Sequence, residues 1–479
     1  MTTAPARDAH GATGLPLDRR SRQAILAGGD LLLLAPVLAL ALRLGGLRSG
    51  WDWANRPFLG EYLRWLILLL PLWLALAWAN GLYDLGRPRR RLLALALAGP
   101  VVVSGQLLLL WALVYFIPPP WTLVRHVAVF FALGSALALP LWRLAFLALL
   151  ERRTFRTRLL IVGAGEAGRT ILEAIRAEAA PLYEVVGFID DDPELAGRTV
   201  AELPVLGGRE ALLPCIRSLG ATEVVLAITH GMEAGLFRAV LNAQEQGVTL
   251  TPMPLLYELL TGRVPVEHIG EQWAVALPLS PAEATGLYRL VRRAVDLAAG
   301  LGGLLVLVLL LPLLAPVIWL DSRGPILFRQ TRLGRGGRPF TLYKLRTMRP
   351  GAEADGPRWT AEADPRVTRV GRLLRRSRLD ELPQALNILR GEMSLIGPRP
   401  ERPEFVAQLA EAIPFYRARH AVAPGLTGWA AVHQDYAAST GDALLKLQYD
   451  LYYIKHRSLL LDGWILLRTA AKVLRLVGR

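Results

Sequence analysis

One cysteine, Cys215, stands in 479 residues, so the chain can build neither a disulfide framework nor a thiolate metal cluster. Its soluble parts suit a reducing compartment. Acid is scarce too: 40 Asp and Glu face 55 Lys and Arg, for a formal charge of +15. Such a balance fits nucleic acid, an anionic lipid surface or phosphorylated substrates, and does not choose among them. No small-residue cleavage site follows the first apolar run, so an anchor is expected there and not a removed signal peptide. Hydrophobic residues, by contrast, are abundant at 53%, and the length admits two or three domains.

Four apolar stretches fall at 24–47, 63–82, 92–117 and 124–150, each reaching the roughly 20 residues that cross a bilayer core. Arg19, Arg20 and Arg22 precede the first; Arg87, Arg89, Arg90 and Arg91 separate the second from the third; Arg152, Arg153, Arg156 and Arg158 follow the fourth. Because basic loops stay inside, this pattern predicts a cytoplasmic N-terminus, four crossings and a cytoplasmic exit. Arg43, Arg125 and Arg143, within or near the spans, read as snorkelling or helix-pairing residues. A fifth stretch, 294–320, is basic on both flanks: Arg289, Arg292 and Arg293 before it, Arg323, Arg329, Arg332 and Arg335 after it. Both ends are therefore expected on the cytoplasmic side, with Pro312 and Pro316 breaking a re-entrant helix. The competing reading is a fifth ordinary span, which would place the C-terminal third outside.

Between these regions, residues 151–280 alternate strand and helix patterns, as a parallel α/β sheet requires. "RLLIVGAGEAGRTILEAI" places Gly163, Gly165 and Gly168 in a G-x-G-x-x-G turn, and "YEVVGFIDDD" ends a second strand at Asp190, where a ribose-binding acid belongs. No Tyr-x-x-x-Lys set accompanies them. NAD(P) is not expected there, and the glycines are read as packing a strand against a helix.

The C-terminal third, 285–479, concentrates cations and turns. "FRQTRLGRGGRPFTLYKLRTM" flanks Gly334, Gly336 and Gly337 with Arg332, Arg335, Arg338, Lys344 and Arg346, a composition suited to a diphosphate. Arg366, Arg369, Arg372 and Arg375 recur three apart beside Val367, Val370 and Leu374, which predicts an amphipathic helix for an anionic membrane surface, with a solvated charged face as the competing reading. Leu379, Leu382, Leu386 and Leu389 keep helical spacing around Pro383, where a helix either begins or kinks. Asp380 and Glu381 lie beside that proline. They are expected not to face the core together and to stay ionised among arginines, so that one can attack phosphorus while the other holds Mg²⁺. A plain helix-start acid pair is the competing reading. In "GPRPERP", Pro398, Pro400 and Pro403 stiffen a loop carrying Arg399 and Arg402.

Three segments, "GPILFRQTRLGRGGRPFTLYKLRTM", "LRRSRLDELPQALNILRGEMSLIGPRPERPEF" and "PGLTGWAAVHQDY…KLQYDLYYIKHRSLLLD", resemble the bacterial sugar transferase family over residues 289–479. The resemblance to its large-form members implies a four-helix transmembrane bundle (1–150), an α/β Rossmann-like domain and a membrane-associated, α-rich catalytic domain with a re-entrant helix. It also implies hexose-1-phosphate transfer from a UDP-sugar, UDP-glucose or UDP-galactose foremost, to undecaprenyl phosphate, through a ping-pong mechanism that opens exopolysaccharide or O-antigen synthesis. Asp380 matches the family's nucleophile and Glu381 its Mg²⁺-binding carboxylate. Lys344, Arg346, Arg375 and Arg399 match phosphate-holding positions, and Pro398 and Pro400 shape the loop. Arg378 replaces a frequent Ser, and Ala431 and His433 replace the amides of a G-W-A-Q-V-N-G pattern. The implied place is the cytoplasmic face of the bacterial inner membrane among its lipids, with no nucleic-acid partner; the oligomeric state, a homodimer included, stays open. A membrane-anchored NAD-dependent enzyme acting on nucleotide sugars is the rival from another class, and a nucleotide-sugar-sensing scaffold a third.

Overall fold

Runs of Leu, Ala and Val with few polar interruptions satisfy their backbone groups within a bilayer only as helices. A computed structural model forms them as α1 (Arg19–Arg48), α2 (Phe58–Ala79), α3 (Arg89–Val114) and α4 (Arg125–Leu150). It describes residues 19–48, 58–83, 85, 89–114, 125–150, 156–179, 182–229, 231–268, 286–352, 364–434 and 439–474, so the loops around Trp51 and Trp121 lie outside the described residues. The chain divides into two units, Met1–Thr261 and Gly262–Arg479.

In the first unit the four helices share one core, with Leu34, Leu38 and Leu42 of α1 wholly buried with Phe131, Leu139 and Phe146 of α4. Small residues set the approach: a Cβ on Gly29 would lie 2.0 Å from Trp142, and one on Gly45 2.4 Å from Val127. Arg143 is a helix-pairing residue. It is buried against Asp30, whose carboxylate also accepts the Tyr83 hydroxyl at 2.8 Å, and it donates to the Leu82 carbonyl at 3.0 Å. Pairing removes most of the cost of charge in so apolar a place.

Next comes the α/β layer: β1 (Thr157–Val162), α5 (Glu166–Glu178), β2 (Tyr183–Ile189), the short hairpin β3 (Thr199–Val200) and β4 (Leu203–Pro204), α6 (Leu212–Leu219), β5 (Glu223–Leu226), α7 (Ala234–Glu245), β6 (Thr249–Pro252) and α8 (Met253–Thr261). Four strands pair in parallel in the order β2-β1-β5-β6. Leu159 and Ile161 pack under α5 and α8 on one face, while Leu160 and Val162 meet α6 and α7 on the other. Burial on both faces is why β1 reads as an unbroken apolar run. Two of the three motif glycines are structural. Gly163 takes φ +105°, and a Cβ on Gly168 would lie 2.0 Å from the Gly163 carbonyl, whereas Gly165 faces open space.

The second unit begins earlier than the sequence pattern implied. The Gly262 carbonyl accepts from the Trp429 indole at 2.8 Å, the Val264 amide donates to Gln448, and Val264 and Val266 are buried in the C-terminal core. Residues 262–268 therefore belong with the C-terminal block and not with the α/β layer, because their partners Trp429 and Gln448 lie far along the sequence, the first of them 167 residues away. After them run α9 (Gly286–Asp321), the antiparallel hairpin β7 (Leu327–Leu333) and β8 (Pro339–Leu345), α10 (Arg369–Arg376), α11 (Ala385–Arg390), β9 (Ser394–Ile396), α12 (Pro403–Ala412), β10 (Gly425–Thr427), α13 (Trp429–His433), α14 (Thr440–Lys455) and α15 (Leu459–Leu474).

The break expected at Pro312 and Pro316 is not found: α9 runs on as one helix through both prolines. Its N-terminal turns grip the block through Arg293, which donates to the Ile388 and Leu389 carbonyls at 2.9 and 2.8 Å. Asp296 there accepts from Ser394 at 3.0 Å and from the Leu395 amide at 2.8 Å. At the far end Asp321 accepts from the Val370 amide at 2.9 Å, and Arg346 donates to Ile318 and Ser322. Together α1, α2, α3, α4 and α9 give 5 helices long and apolar enough to cross a membrane among the described residues, and the molecule is a membrane protein.

Candidate active site

Pro383 settles the local structure around the carboxylates. Residues Leu379–Gln384 form a 3-10 turn, entered through Arg378 in the left-handed region (φ 57°) and followed by α11, which stops at Gly391 (φ 77°). The expectation that Asp380 and Glu381 could not both turn inward fails: each is 7% exposed. On a regular helix neighbours diverge by about 100°. A 3-10 turn sets neighbours farther apart still, about 120°, and both carboxylates are buried because β8, α9, α10 and α11 all pack against the turn.

Their electrostatics differ sharply. The Glu381 carboxylate accepts from Arg399 at 2.7 Å and from Lys344 at 3.4 Å through one oxygen, and Arg378 lies 3.6 Å from the other. Burial alone would raise its pKa, but Arg399, Lys344 and Arg378 hold it well below the usual carboxylate range. Asp380 makes no hydrogen bond or ion pair among the described residues. Burial, then the Glu381 charge, pushes it up to about 6, while Lys344, Arg375 and Arg399 pull the other way. One carboxylate is thus held in its charged form by three cations, while its unpartnered neighbour is raised to about 6.

Each sequence-predicted residue now has a place. Lys344 (β8) and Arg399 converge on the dyad, and burial lowers the Lys344 pKa. Arg375 bonds the Thr347 hydroxyl at 2.9 Å and faces Asp380 closely enough to shift it. Arg346 is elsewhere: its buried guanidinium serves the carbonyls that end α9. The cationic stripe of α10 is also different, since Arg366 precedes the helix and pairs with Asp364 at 2.6 Å while Arg375 turns inward. What stays exposed on α10 is Arg369, Arg372, Leu373 and Arg376.

Pro398 and Pro400 lie in a loop held from several sides. The Gly425 amide donates to Pro398, Arg332 to the Pro400 carbonyl, the Leu333 amide to Glu401 and Arg419 to the Arg399 carbonyl. Arg419 is itself buried against Asp450 at 2.7 Å and Tyr416 at 2.9 Å. Glu401 beside it pairs with Lys446. Sequence reasoning missed this network because its members are spread from Glu401 to Asp450, and only Lys446 and Asp450 stand out as charges within a helical pattern. It also missed Arg378, visible only as a departure.

In the α/β layer the Asp190 carboxylate accepts from the Ala164 amide of the glycine turn at 2.6 Å and from the Asp192 amide at 3.0 Å. Gly163, Gly165, Gly168 and Asp190 are thus brought together, and the acid occupies an amide that a pyrophosphate would use.

The geometry is that of a membrane protein with a buried carboxylate pair ringed by cations. Residues 287–476 match the bacterial sugar transferase family, and residues 78–254 match a CoA-binding domain family. The chain is 43% identical over 224 residues (45% of this chain, 50% of the other) to a UDP-N-acetylgalactosamine-undecaprenyl-phosphate N-acetylgalactosaminephosphotransferase of Aeromonas hydrophila. It is 37% identical over 327 residues (66% and 59%) to an undecaprenyl-phosphate glucose phosphotransferase of Komagataeibacter xylinus. To the exopolysaccharide production protein PSS of Rhizobium leguminosarum bv. phaseoli it is 39% identical over 190 residues, 38% of this chain and 95% of that protein. The chain belongs to the bacterial sugar transferase family. It spans 50% and 59% of the length of the first two of these relatives.

Proposed function

We propose that the chain transfers a hexose-1-phosphate from a UDP-sugar to undecaprenyl phosphate, releasing UMP, as the step that opens a polysaccharide repeat unit. One observation carries this reading: Asp380 is buried yet unpartnered, beside a Glu381 that pairs with Arg399, Lys344 and Arg378. Its carboxylate attacks the sugar-bearing β-phosphorus, the P–O bond to the α-phosphate breaks, and UMP leaves with that electron pair. An oxygen of the lipid phosphate then attacks the same phosphorus, producing lipid diphosphosugar and freeing Asp380. Lys344, Arg375 and Arg399 offset the charge that spreads over the transferring phosphoryl oxygens.

The dyad fits Mg²⁺, which needs one or two carboxylates and takes its remaining ligands from substrate phosphates and water. Glu381 would hold it, and when bound it supplies charge neutralisation of the diphosphate. The α/β layer serves as scaffold, since Asp190 already takes the turn amide. UDP-glucose and UDP-galactose are the leading donors from sequence, and the relatives' names add N-acetylgalactosamine. Incubating the full chain with each UDP-sugar, Mg²⁺ and undecaprenyl phosphate should release UMP with at least one donor. Release from none, with an NAD-dependent change in the sugar instead, would reject the reading.

The site lies at the cytoplasmic face of the bacterial inner membrane, with four crossings by α1 to α4 and re-entry by α9. At 36 residues α9 extends about 54 Å, longer than a ~30 Å hydrocarbon core. Both its ends bond the same charged block, which a single straight crossing would leave partly in lipid. A Cys215→Ser chain carrying Arg338→Cys, on the exposed hairpin tip, should resist a membrane-impermeant maleimide in intact cells and react after lysis. Rapid labelling from outside would establish a full crossing.

A further inference from the structure

A second cationic recess lies apart from the dyad, where α9 begins. This cavity of about 460 Å³ is lined by Arg289, Arg292, Arg293, Arg335 and Arg457, with Asp296 as its one acid. That volume falls in the ~300–1,000 Å³ range of small-molecule sites. Its charges are not equally spent. Asp296 is occupied by Ser394 and the Leu395 amide, Arg293 by two carbonyls, and Arg292 by Ser394, the Ile396 carbonyl and Tyr288. Arg457 uses only Nε, toward Ile454. The side chains of Arg289 and Arg335 have no partner among the described residues. Five arginines thus line a space whose one carboxylate, Asp296, is already taken by Ser394 and the Leu395 amide.

The rest of the lining identifies the ligand's other half. Met393, Val422 and Ala423 form an apolar wall, and the adjoining turns of α9 expose Leu290, Val295, Leu297 and Leu301. A ligand with a phosphate at one end and hydrocarbon at the other satisfies both surfaces. We infer that this cavity binds the phosphodiester headgroup of an anionic phospholipid, at a site separate from the donor and acceptor chemistry of Asp380. Guanidinium forks suit phosphate oxygens. The position, one turn before the apolar stretch that starts at Ala294, is the level at which headgroups lie. The lipid would anchor α9 beside β9, whose next residues lead into the Pro398 loop.

The test is native mass spectrometry of the full chain purified from nanodiscs holding equal phosphatidylglycerol and phosphatidylcholine. Wild type should retain phosphatidylglycerol over phosphatidylcholine by about tenfold, the scale of one charge-assisted contact. Arg289→Gln/Arg335→Gln should erase the preference, and Arg198→Gln/Arg238→Gln, equal in charge change on the first unit, should keep it. Arg335→Gln alone, at an exposed hairpin tip, keeps the comparison decisive should the double variant misfold. No preference in wild type, retention by the Arg289/Arg335 variants, or equal loss in the control overturns the inference. Displacement of the lipid by millimolar inorganic phosphate or UMP would assign the cavity to a soluble phosphate and overturn it as well. None of these readouts depends on turnover, so failure here leaves the transferase reading standing, and failure there leaves this one.

Discussion

Asp380→Asn should abolish sugar-phosphate transfer, a loss of at least about 10³-fold, because the amide keeps the shape of the carboxylate and removes its attacking charge. It should not unfold the protein. Burial and the neighbouring Glu381 raise Asp380 to about 6, so the native state holds its proton more tightly than the unfolded chain does. Ionising it therefore costs stability between the ordinary carboxylate pKa and about 6, and that cost persists at higher pH. A neutral Asn avoids it, and the variant should melt at least as high as wild type at pH 8. The same shift sets the pH profile. The nucleophile exists above its pKa, so kcat/KM for UMP release should rise through about pH 6 and fall away below it.

Glu381→Gln should also stop transfer, by a different route. Arg399, Lys344 and Arg378 lose the charge that gathers them, and the metal loses a ligand. Removing the Glu381 charge also removes one cause of the raised Asp380 pKa, so residual activity should persist to lower pH. Mass spectrometry of protein exposed to UDP-sugar and Mg²⁺ without lipid separates the two variants. Wild type should carry one hexose-phosphate on Asp380, Glu381→Gln should recover it at high Mg²⁺, and Asp380→Asn should show none at any concentration. An unmodified wild type that releases UMP only after polyprenyl phosphate is added would replace the aspartyl intermediate by direct transfer.

How much of this was legible in the sequence depends on how local each cause is. The dyad, the glycine turn and the basic flanks of α9 are contiguous signals, and strand β1 announced its two buried faces by an unbroken apolar run. Arg346 was placed by resemblance to phosphate-holding positions, and no sequence signal foretold that its guanidinium reaches the carbonyls of Ile318 and Ser322 at the end of α9. The shared burial of Asp380 and Glu381 was illegible for a related reason, since it comes from β8, α9, α10 and α11 packing against the turn, contacts that leucine spacing does not report. Residues 262–268 escaped because a segment without periodicity takes its allegiance from distant partners, here Trp429 and Gln448.

The same non-locality yields the second large effect, at the charges beneath the Pro398 loop. Arg419 is 3% exposed and holds Asp450, Tyr416 and the Arg399 carbonyl at once. Asp450→Leu should destabilise the protein by about 3–5 kcal/mol, because it strands a buried guanidinium whose other carboxylate, Glu401, lies 3.8 Å away and is claimed by Lys446. Arg419→Met/Asp450→Leu removes both charges and should regain most of that stability, since packed apolar side chains replace a buried pair at little cost. Turnover should not return with it. Without the Arg419 donor the Arg399 carbonyl is released and the Arg399 guanidinium, 2.7 Å from Glu381, loses its fixed aim. A misplacement of about 1 Å at such a site can cost about 10²-fold in rate. Thermal unfolding and UMP release measured on the three proteins therefore separate the two roles of the network. A double variant that recovers melting temperature and full turnover together would reduce Arg419 to a packing element with no hold on Arg399.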